Sequence, residues 1–570
     1  MTKIRLLLQK ALRSKIKKGI FKNMKRILFI LLLYVSGIYT VSAQNTKELS
    51  ETENLFAIAK VWGYLKYYHP YVAGGALDWD QQLFDLLPQV RKATTKEEFS
   101  AVLLHWIDKL GEVRECRRCE VAKEGVFNKN FDLSWIRNSR HFNDEVSNRL
   151  EFIRDNRFQG DQHYVTIGRG NTIKIQNERE YEDFDYTEEQ HKLLVLFRYW
   201  NIIEYFYPYK YLTDQHWDDV LLEMIPKFQN ASDQISYRRV IRELLAKMDD
   251  THTRVIFDGV TLDYLPVKIK EIEGKAVVSG FFNDSIGKAN GFKPGDIILK
   301  VNGMDAEKKM LEVLPYASGS NTNIKRRNAY YHILKGEDSI AEITVLRNKD
   351  TLSLKTRRYP FKEFNRLNRK VPDTTKWKIF DDSIGYINMG YINGDEASEI
   401  MAKFMEKKAI IIDLRNYPQF IYHVVSRYLN DRKKDFASIY IPDISYPGKF
   451  KFVKNERAGV KNKNYYMGKV VLLVDDQSLS RSEFTAMAFQ TANNVITVGS
   501  QTAGADGNVT SIKLADGTKA YITGVGVLYP DGTPTQRTGI KIDIKVTPTI
   551  EGLQKGRDEV LERAVELAGD

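Results

Sequence analysis

Residues 469–504 read KVVLLVDDQSLSRSEFTAMAFQTANNVITVGSQTAG. Val470 to Val474 form an apolar run rich in β-branched residues and too short for a buried helix, which predicts a buried strand. A helix is expected to start at Ser480, with Glu483 three residues on and Phe484, Met487, Ala488 and Thr491 at helical spacing behind it. A second strand is expected over Val495–Gly499. Ser480 therefore falls at a strand-to-helix turn, and this position has two readings. Ser-x-x-Glu is a capping box that starts many helices. A serine at such a turn also presents its hydroxyl at the edge of a sheet, and the free amide of the next residue, Arg481, can face a developing oxyanion.

The chain has 570 residues, which suggests three or four domains, and its 43% hydrophobic and 28% charged residues are ordinary for a globular protein. The net charge of +12 is concentrated at the amino terminus. Residues 1–43 hold ten Lys or Arg and no acidic residue, leaving +2 on the rest, so charge gives no case for a nucleic-acid partner. That basic start, the apolar run Ile27–Val35 and the small residues Val41-Ser42-Ala43 form the pattern of a secretory signal peptide cleaved after Ala43. Met24-Lys25-Arg26 would by itself begin a signal of normal length. An uncleaved membrane anchor is the alternative, though the run is shorter than the ~20 residues of a spanning helix. A periplasmic or extracellular location is expected. The only cysteines, Cys116 and Cys119, form a C-x-x-C. A small structural disulfide is the preferred reading over a redox pair or half of a metal site, since two thiols are too few for zinc.

Residues 54–112 and 192–250 superimpose without a gap. Trp62, Tyr67, Pro70, Trp79, Pro88 and Leu103 answer to Trp200, Tyr205, Pro208, Trp217, Pro226 and Ile241. Such self-similarity predicts one small helical unit used twice. The copies differ at their carboxy ends: where the first has Arg114, the second has His252, just past a helix and leading into a strand at Thr253–Phe257. Asp249 and Asp250 beside it could instead be metal ligands, but no third and fourth ligand stand nearby. Residues 121–181, between the copies, read as a connecting segment.

From Asp263 short strands take over, and Gly291–Gly303, GFKPGDIILKVNG, carries a turn, a strand and a hairpin signal. This run resembles a PDZ domain, a module that binds extended chain ends along a sheet edge. The carboxylate-holding loop of such domains is glycine-rich, whereas here the stretch is Asp263-Tyr-Leu-Pro-Val267.

After a polar linker, strands at Ile384–Met389 and Ala409–Leu414 alternate with helices at Glu396–Glu406 and Val424–Leu429, ahead of the 469–504 stretch and a strand-rich tail that ends in a helix over Arg557–Leu567. This alternation predicts an α/β core. The order IGYINMGYI, AIIIDLRNYP, VVLLVDDQSLSRSE, TVGSQTAG and YPDGTPTQRTGIKIDIKV, behind the PDZ-like run and a helical leader, resembles the C-terminal-processing or tail-specific serine peptidases from about Glu182 onward. The resemblance implies Ser480 as nucleophile. The lysine that one branch of the family places downstream is absent, since Ala503-Gly504-Ala505-Asp506 stands there; the branch similar to tricorn protease uses a histidine, matched by Thr251-His252. A Ser-His mechanism is then implied, with Gln536 where that branch has an orienting glutamate. Gln419 stands where the family has a Gly-Gly pair that supplies a second oxyanion donor beside the Arg481 amide.

The expected fold is a multidomain α+β chain: a signal peptide (1–43), a first helical module (44–120), a connecting segment (121–181), a second helical module carrying His252 (182–258), a PDZ-like β domain (259–358) and an α/β peptidase core (359–570). The expected function is an exported serine endopeptidase acting on unfolded or chain-end polypeptide segments, without cofactor, metal or nucleic acid. Two alternatives stand: a catalytically silent relative that binds peptides, and a binder of another ligand on the aromatic residues of the duplicated modules.

Overall fold

The computed structural model describes residues 49–117, 119, 126–257, 259, 261–366 and 376–569; the signal-peptide stretch lies outside them. Among the described residues no helix is long and apolar enough to cross a membrane. Cys116 and Cys119 are joined as a disulfide.

The helical part is built on two helices, α1 (Glu51–Tyr68) and α5 (Glu189–Phe206), separated by α2 (Trp79–Lys92), α3 (Lys96–Lys109) and α4 (Asp144–Asp155). Ser50 starts α1 by a capping box with Glu53. Both α1 and α5 are buried along almost their whole length, polar residues such as Lys66, Arg198 and Asn201 included. They cross at Gly63, where an added Cβ would lie 1.8 Å from Asn201 Oδ1, and Asn201 Nδ2 donates to Ala59 O at 3.0 Å. The two tryptophan pairs behave alike. Trp62 Nε1 donates to Trp79 O and Trp200 Nε1 to Trp217 O, with the rings stacked 5.9 and 6.4 Å apart. α6 (Trp217–Asn230) and α7 (Gln234–Ala246) complete this part.

Its interior also holds charge. Arg198 is buried, pairs with Asp80 and with Glu178 Oε2 at 3.0 Å, and donates to Arg179 O at 2.8 Å, while Lys66 pairs with Glu178. Between α4 and α5 lies the hairpin β1 (Val165–Ile167) and β2 (Ile173–Ile175), turned by residues 169–171. After α7 the chain forms β3 (Arg254–Ile256).

An antiparallel sheet follows, of β4 (Val267–Ile272), β5 (Lys275–Phe281), β6 (Ile297–Val301), β7 (Ile340–Arg347) and β8 (Asp350–Arg357), in the order β8-β7-β6-β5-β4. β4 is its edge, and α8 (Thr322–Leu334) packs beside that edge. The edge is already partly bonded: Ile269 N donates to the Tyr331 hydroxyl at 3.0 Å. Ahead of it, Asp263 N donates to Gly336 O and Tyr264 N to Tyr359 O.

The last part is a six-stranded sheet of β9 (Trp377–Phe380), β10 (Ile384–Asn388), β11 (Ala409–Asp413), β12 (Lys469–Val474), β13 (Val495–Gly499) and β16 (Ile544–Lys545), in that spatial order. All pairs are parallel except β9 with β10. Its central strands are buried on both faces, as parallel sheets require. α9 (Arg481–Phe489) lies on one face and α10 (Glu559–Gly569) on the other. β14 (Val509–Lys513) and β15 (Lys519–Thr523) form a small sheet that takes in β3, with Tyr521 opposite Arg254. This pairing fixes the end of the helical part against the last part.

Replacing Arg198 by Leu would leave Asp80 and Glu178 buried without their guanidinium. The variant should lose about 3–5 kcal/mol of stability, read as a drop in the urea midpoint; an unchanged midpoint would show the network carries no weight.

Candidate active site

Ser480 lies past the carboxyl end of β12, at the crevice side of a parallel sheet where open α/β folds hold their ligands. Its backbone is at φ 55° and ψ −111°, a conformation that costs a non-glycine residue on the order of 1–3 kcal/mol. Strain of this kind must be held by its surroundings. Here Ser480 N donates to Glu483 Oε2 at 3.1 Å and to Ala505 O at 3.0 Å. Glu483 is fully buried and also takes Thr502 Oγ1 at 2.6 Å, Gly504 N at 2.8 Å and Ala505 N at 3.1 Å. One carboxyl thus fixes both the turn and the 502–505 segment beside it. Burial pushes its pKa up to about 7, against the pull of its hydrogen bonds. Asp506, next to it, is also raised by burial and by the Glu483 charge.

The Arg481 amide has no hydrogen-bond partner among the described residues, and neither has that of Gln419. Arg481 Nη1 donates to Pro418 O at 3.3 Å, and the guanidinium lies over the rings of Tyr417 and Phe420, 5.2 and 5.8 Å from their centroids. That side chain holds the 417–420 loop against the start of α9.

His252 reaches the site from the helical part. Thr251 Oγ1 donates to Ala503 O at 2.9 Å, in the same 502–505 segment that takes Ser480 N. His252 is buried, and its Nδ1 stands 2.9 Å from Thr523 Oγ1. Thr523 Oγ1 donates to Asp250 Oδ2 at 2.8 Å, so it must accept from Nδ1–H. This places the ring proton on Nδ1 and leaves the Nε2 lone pair free to accept. Asp250 Oδ1 is 3.9 Å from Nδ1 and takes the His252 amide at 3.0 Å. Burial lowers the imidazole pKa, partly offset by Asp250. No hydrogen bond joins His252 to Ser480.

Gln536 does not touch His252. Its Nε2 is 3.4 Å from Asp250 Oδ1 and 3.3 Å from Ser320 Oγ, so it reaches the imidazole only through Asp250. The carboxylate behind His252 is Asp250, two residues before it, which the sequence offers only as a metal-ligand candidate. Thr523 carries no motif and becomes visible only through the pairing of β3 with β15. Among the described residues no group of three or more His, Cys, Asp or Glu side chains could hold a metal ion.

A cavity of about 250 Å³ opens beside Ser480, lined also by Arg481, Tyr417 and Phe420 but not by Gln419 or His252. Gly170 and Asn171, in the turn of the β1–β2 hairpin, close it from the connecting segment. Across the front, Lys270 on β4 pairs with Asp475 and with Asp476 Oδ1 at 2.9 Å, and Arg327 on α8 pairs with Asp476 Oδ2 at 2.9 Å. The antiparallel sheet thereby grips the loop that precedes Ser480.

The raised Glu483 has a consequence for stability. The folded chain keeps the proton up to about pH 7, whereas the unfolded chain loses it near 4.5. Stability is therefore full below 4.5 and falls as pH rises to 7, by on the order of 3 kcal/mol; Asp506 acts in the same direction. Glu483→Gln should make the decline between pH 4.5 and 7 shallower in urea unfolding, even if the variant is less stable throughout. An unchanged slope would refute the assignment.

Residues 421–546 match the family model described as Peptidase family S41. That stretch contains Ser480, Arg481, Glu483 and Gln536; Gln419 and His252 precede it. No curated protein matches the chain. Among solved structures, mature CPAF complexed with lactacystin superimposes with a TM-score of 0.52 at 12% identity, over 67% of this chain and 98% of that one. Mature CPAF alone gives 0.51 at 12% identity, over 67% and 96%. The photosystem II D1 C-terminal processing protease gives 0.40 at 19% identity, over 65% and 98%. At such identities the CPAF likeness speaks for the fold alone. The stretch that holds Ser480 is thus similar to peptidase family S41.

Proposed function

We propose that the chain is an exported serine endopeptidase that hydrolyses unfolded or chain-end polypeptide segments by a Ser-His mechanism. The observation that carries this reading is that a strained Ser480, preceding a free Arg481 amide, is tied to the same 502–505 segment as Thr251, next to a His252 whose Nε2 is left as the acceptor. In the reaction Ser480 Oγ attacks the scissile carbonyl carbon while His252 Nε2 takes the hydroxyl proton. The carbonyl oxygen becomes an oxyanion held by the Arg481 and Gln419 amides. Nε2–H then protonates the leaving amine, the C–N bond breaks, and an acyl-Ser480 remains. Water, deprotonated by the same nitrogen, releases the acid and restores the serine. Thr523 and Asp250 keep the ring oriented and favour the imidazolium as it forms.

Export is supported by the signal-peptide pattern of residues 1–43 and by the Cys116–Cys119 disulfide, a bond that persists in oxidising compartments. Selection of chain ends would fall to the PDZ-like sheet, by strand addition to the β4 edge. An incoming chain there would have to displace the Tyr331 hydroxyl from Ile269 N. The second reading, a catalytically silent peptide binder, draws on the missing hydrogen bond between Ser480 and His252. In enzymes without bound substrate such bonds are often long and tighten only in the complex.

Hydrolysis of an unfolded reporter protein by the chain lacking residues 1–43 decides between them. Ser480→Ala and His252→Ala should each lower kcat by roughly 10⁴-fold or more. Since burial lowers the His252 pKa, the neutral base persists into mild acid. The acid limb of kcat/KM should therefore fall below pH ~6.5, the ordinary value for histidine. Thr523→Val should lower kcat by roughly 10²–10⁴-fold and Thr523→Ser should restore most of it. A parent as inert as its Ser480 variant, yet able to bind peptides, would establish the silent reading.

A further inference from the structure

We propose that the cavity beside Ser480 is a specificity pocket for a bulky apolar or aromatic side chain on the residue whose carbonyl is attacked. The inference rests on the serine-peptidase reading and names the substrate class of the same site. Its first support is position. Ser480 and Arg481 both line the cavity whereas His252 does not, so it lies on the side of the free Arg481 amide, away from the base. A substrate carbonyl over Ser480 with its oxygen on that amide would turn the neighbouring side chain into this space.

The second support is the chemistry of the walls. Phe420, Phe484, Ile439, Val453, Val525 and Val527 supply the apolar part of a lining in which polar groups expose slightly more surface. Phe484 is braced in place by Phe420, stacked at 6.2 Å, and by Phe436 at 4.9 Å. The polar residues are engaged elsewhere. Glu456 takes the Tyr422 hydroxyl at 3.2 Å, and Asn508 Nδ2 donates to Gly170 O at 2.9 Å. Arg481 is spread over Tyr417 and Phe420. Asp506 lines the cavity, but its Oδ2 is sealed from solvent, so that oxygen does not face an incoming group.

The third support is size and closure. An apolar cavity of about 150 Å³ is enough to hold benzene, and this one measures about 250 Å³. Its wall at Gly507 admits no side chain, since a Cβ there would lie 2.4 Å from Val525 O. The 169–171 turn, tied down through Asn508 and through Thr510 Oγ1 to Ile173 O at 2.6 Å, makes it a pocket rather than an open groove. Phe420 is the side chain at its rim, 56% exposed, so truncating it disturbs little of the core.

The test uses the chain lacking residues 1–43 and a peptide series that varies only the residue before the scissile bond: Phe, Leu, Ala, Lys and Asp. The wild type should favour Phe and Leu over Ala by roughly 10–200-fold in kcat/KM, with Lys and Asp poorer still. Phe420→Ala should shrink the Phe-to-Ala ratio by ~10-fold. The Ser480→Ala variant, titrated with the same peptides by fluorescence anisotropy, should bind in the same order. Cleavage with a flat series, or a preference for Lys or Asp, would overturn the pocket while leaving the peptidase reading intact. No cleavage, with Ser480→Ala binding ordered as stated, would overturn the peptidase reading and keep the pocket. No cleavage with unordered binding would overturn both.

Discussion

The site depends on the Glu483 carboxyl. It accepts from the half-buried Ser480 N and from Gly504 N, Ala505 N and Thr502 Oγ1, which are buried with it. A buried acid is costly unless its oxygens are satisfied, and four donors satisfy these. Together with the direct bonds from Ser480 N to Ala505 O and from Ala503 N to Ser478 O, the carboxyl holds the turn that carries Ser480 against the 502–505 segment. Because Ser480 sits in a strained backbone conformation, weakening this anchor would let the turn relax and the hydroxyl swing from the crevice.

The 502–505 segment then acts as the shared boundary between the two halves of the site. It takes Ser480 N at Ala505 O and Thr251 Oγ1 at Ala503 O. His252 is thus positioned by a chain of local bonds that starts at Glu483, although it comes from a helical part more than two hundred residues earlier. The pairing of β3 with β15 adds the second constraint, since it brings Thr523 to the imidazole. From outside, the ion pairs of Lys270 and Arg327 with Asp475 and Asp476 fix the loop ahead of Ser480. The 502–505 segment and the Lys270 and Arg327 side chains, far apart in sequence, therefore converge on the turn that carries Ser480.

Much of this was legible in the sequence because it is local. The strands Lys469–Val474 and Val495–Gly499 follow from apolar runs, and the helix Arg481–Phe489 from its period and from Ser480 and Glu483 at its start. The tryptophan spacing shared by residues 54–112 and 192–250 reappears as two like Trp–Trp pairs. What the residues could not show is which groups meet across the chain. Gln536 has the right place in the order of motifs, yet in space it meets Asp250 and Ser320, and Asp250 stands behind the imidazole instead. Thr523 is one threonine among many until a strand register places it. The 121–181 segment was expected as a connector alone, yet Val146, Leu150 and Ile153 recur at helical spacing in α4, and its turn at Gly170 and Asn171 closes the cavity.

The Ser-x-x-Glu motif shows why a capping reading and a catalytic reading need not compete. In a simple capping box the glutamate side chain reaches back to the N-cap amide at the surface, where its second oxygen meets water. Here Glu483 makes that reach to Ser480 N, but buried, and its other oxygen is spent on Thr502 and Gly504. The same two residues that start the helix therefore aim the hydroxyl, and the strain at Ser480 is tolerable because the cap is part of a network rather than an isolated contact. A capping motif whose glutamate is wholly buried and multiply bonded is thus a stronger pointer to a functional turn than the spacing alone, and burial is the part of that signal which only the fold reveals.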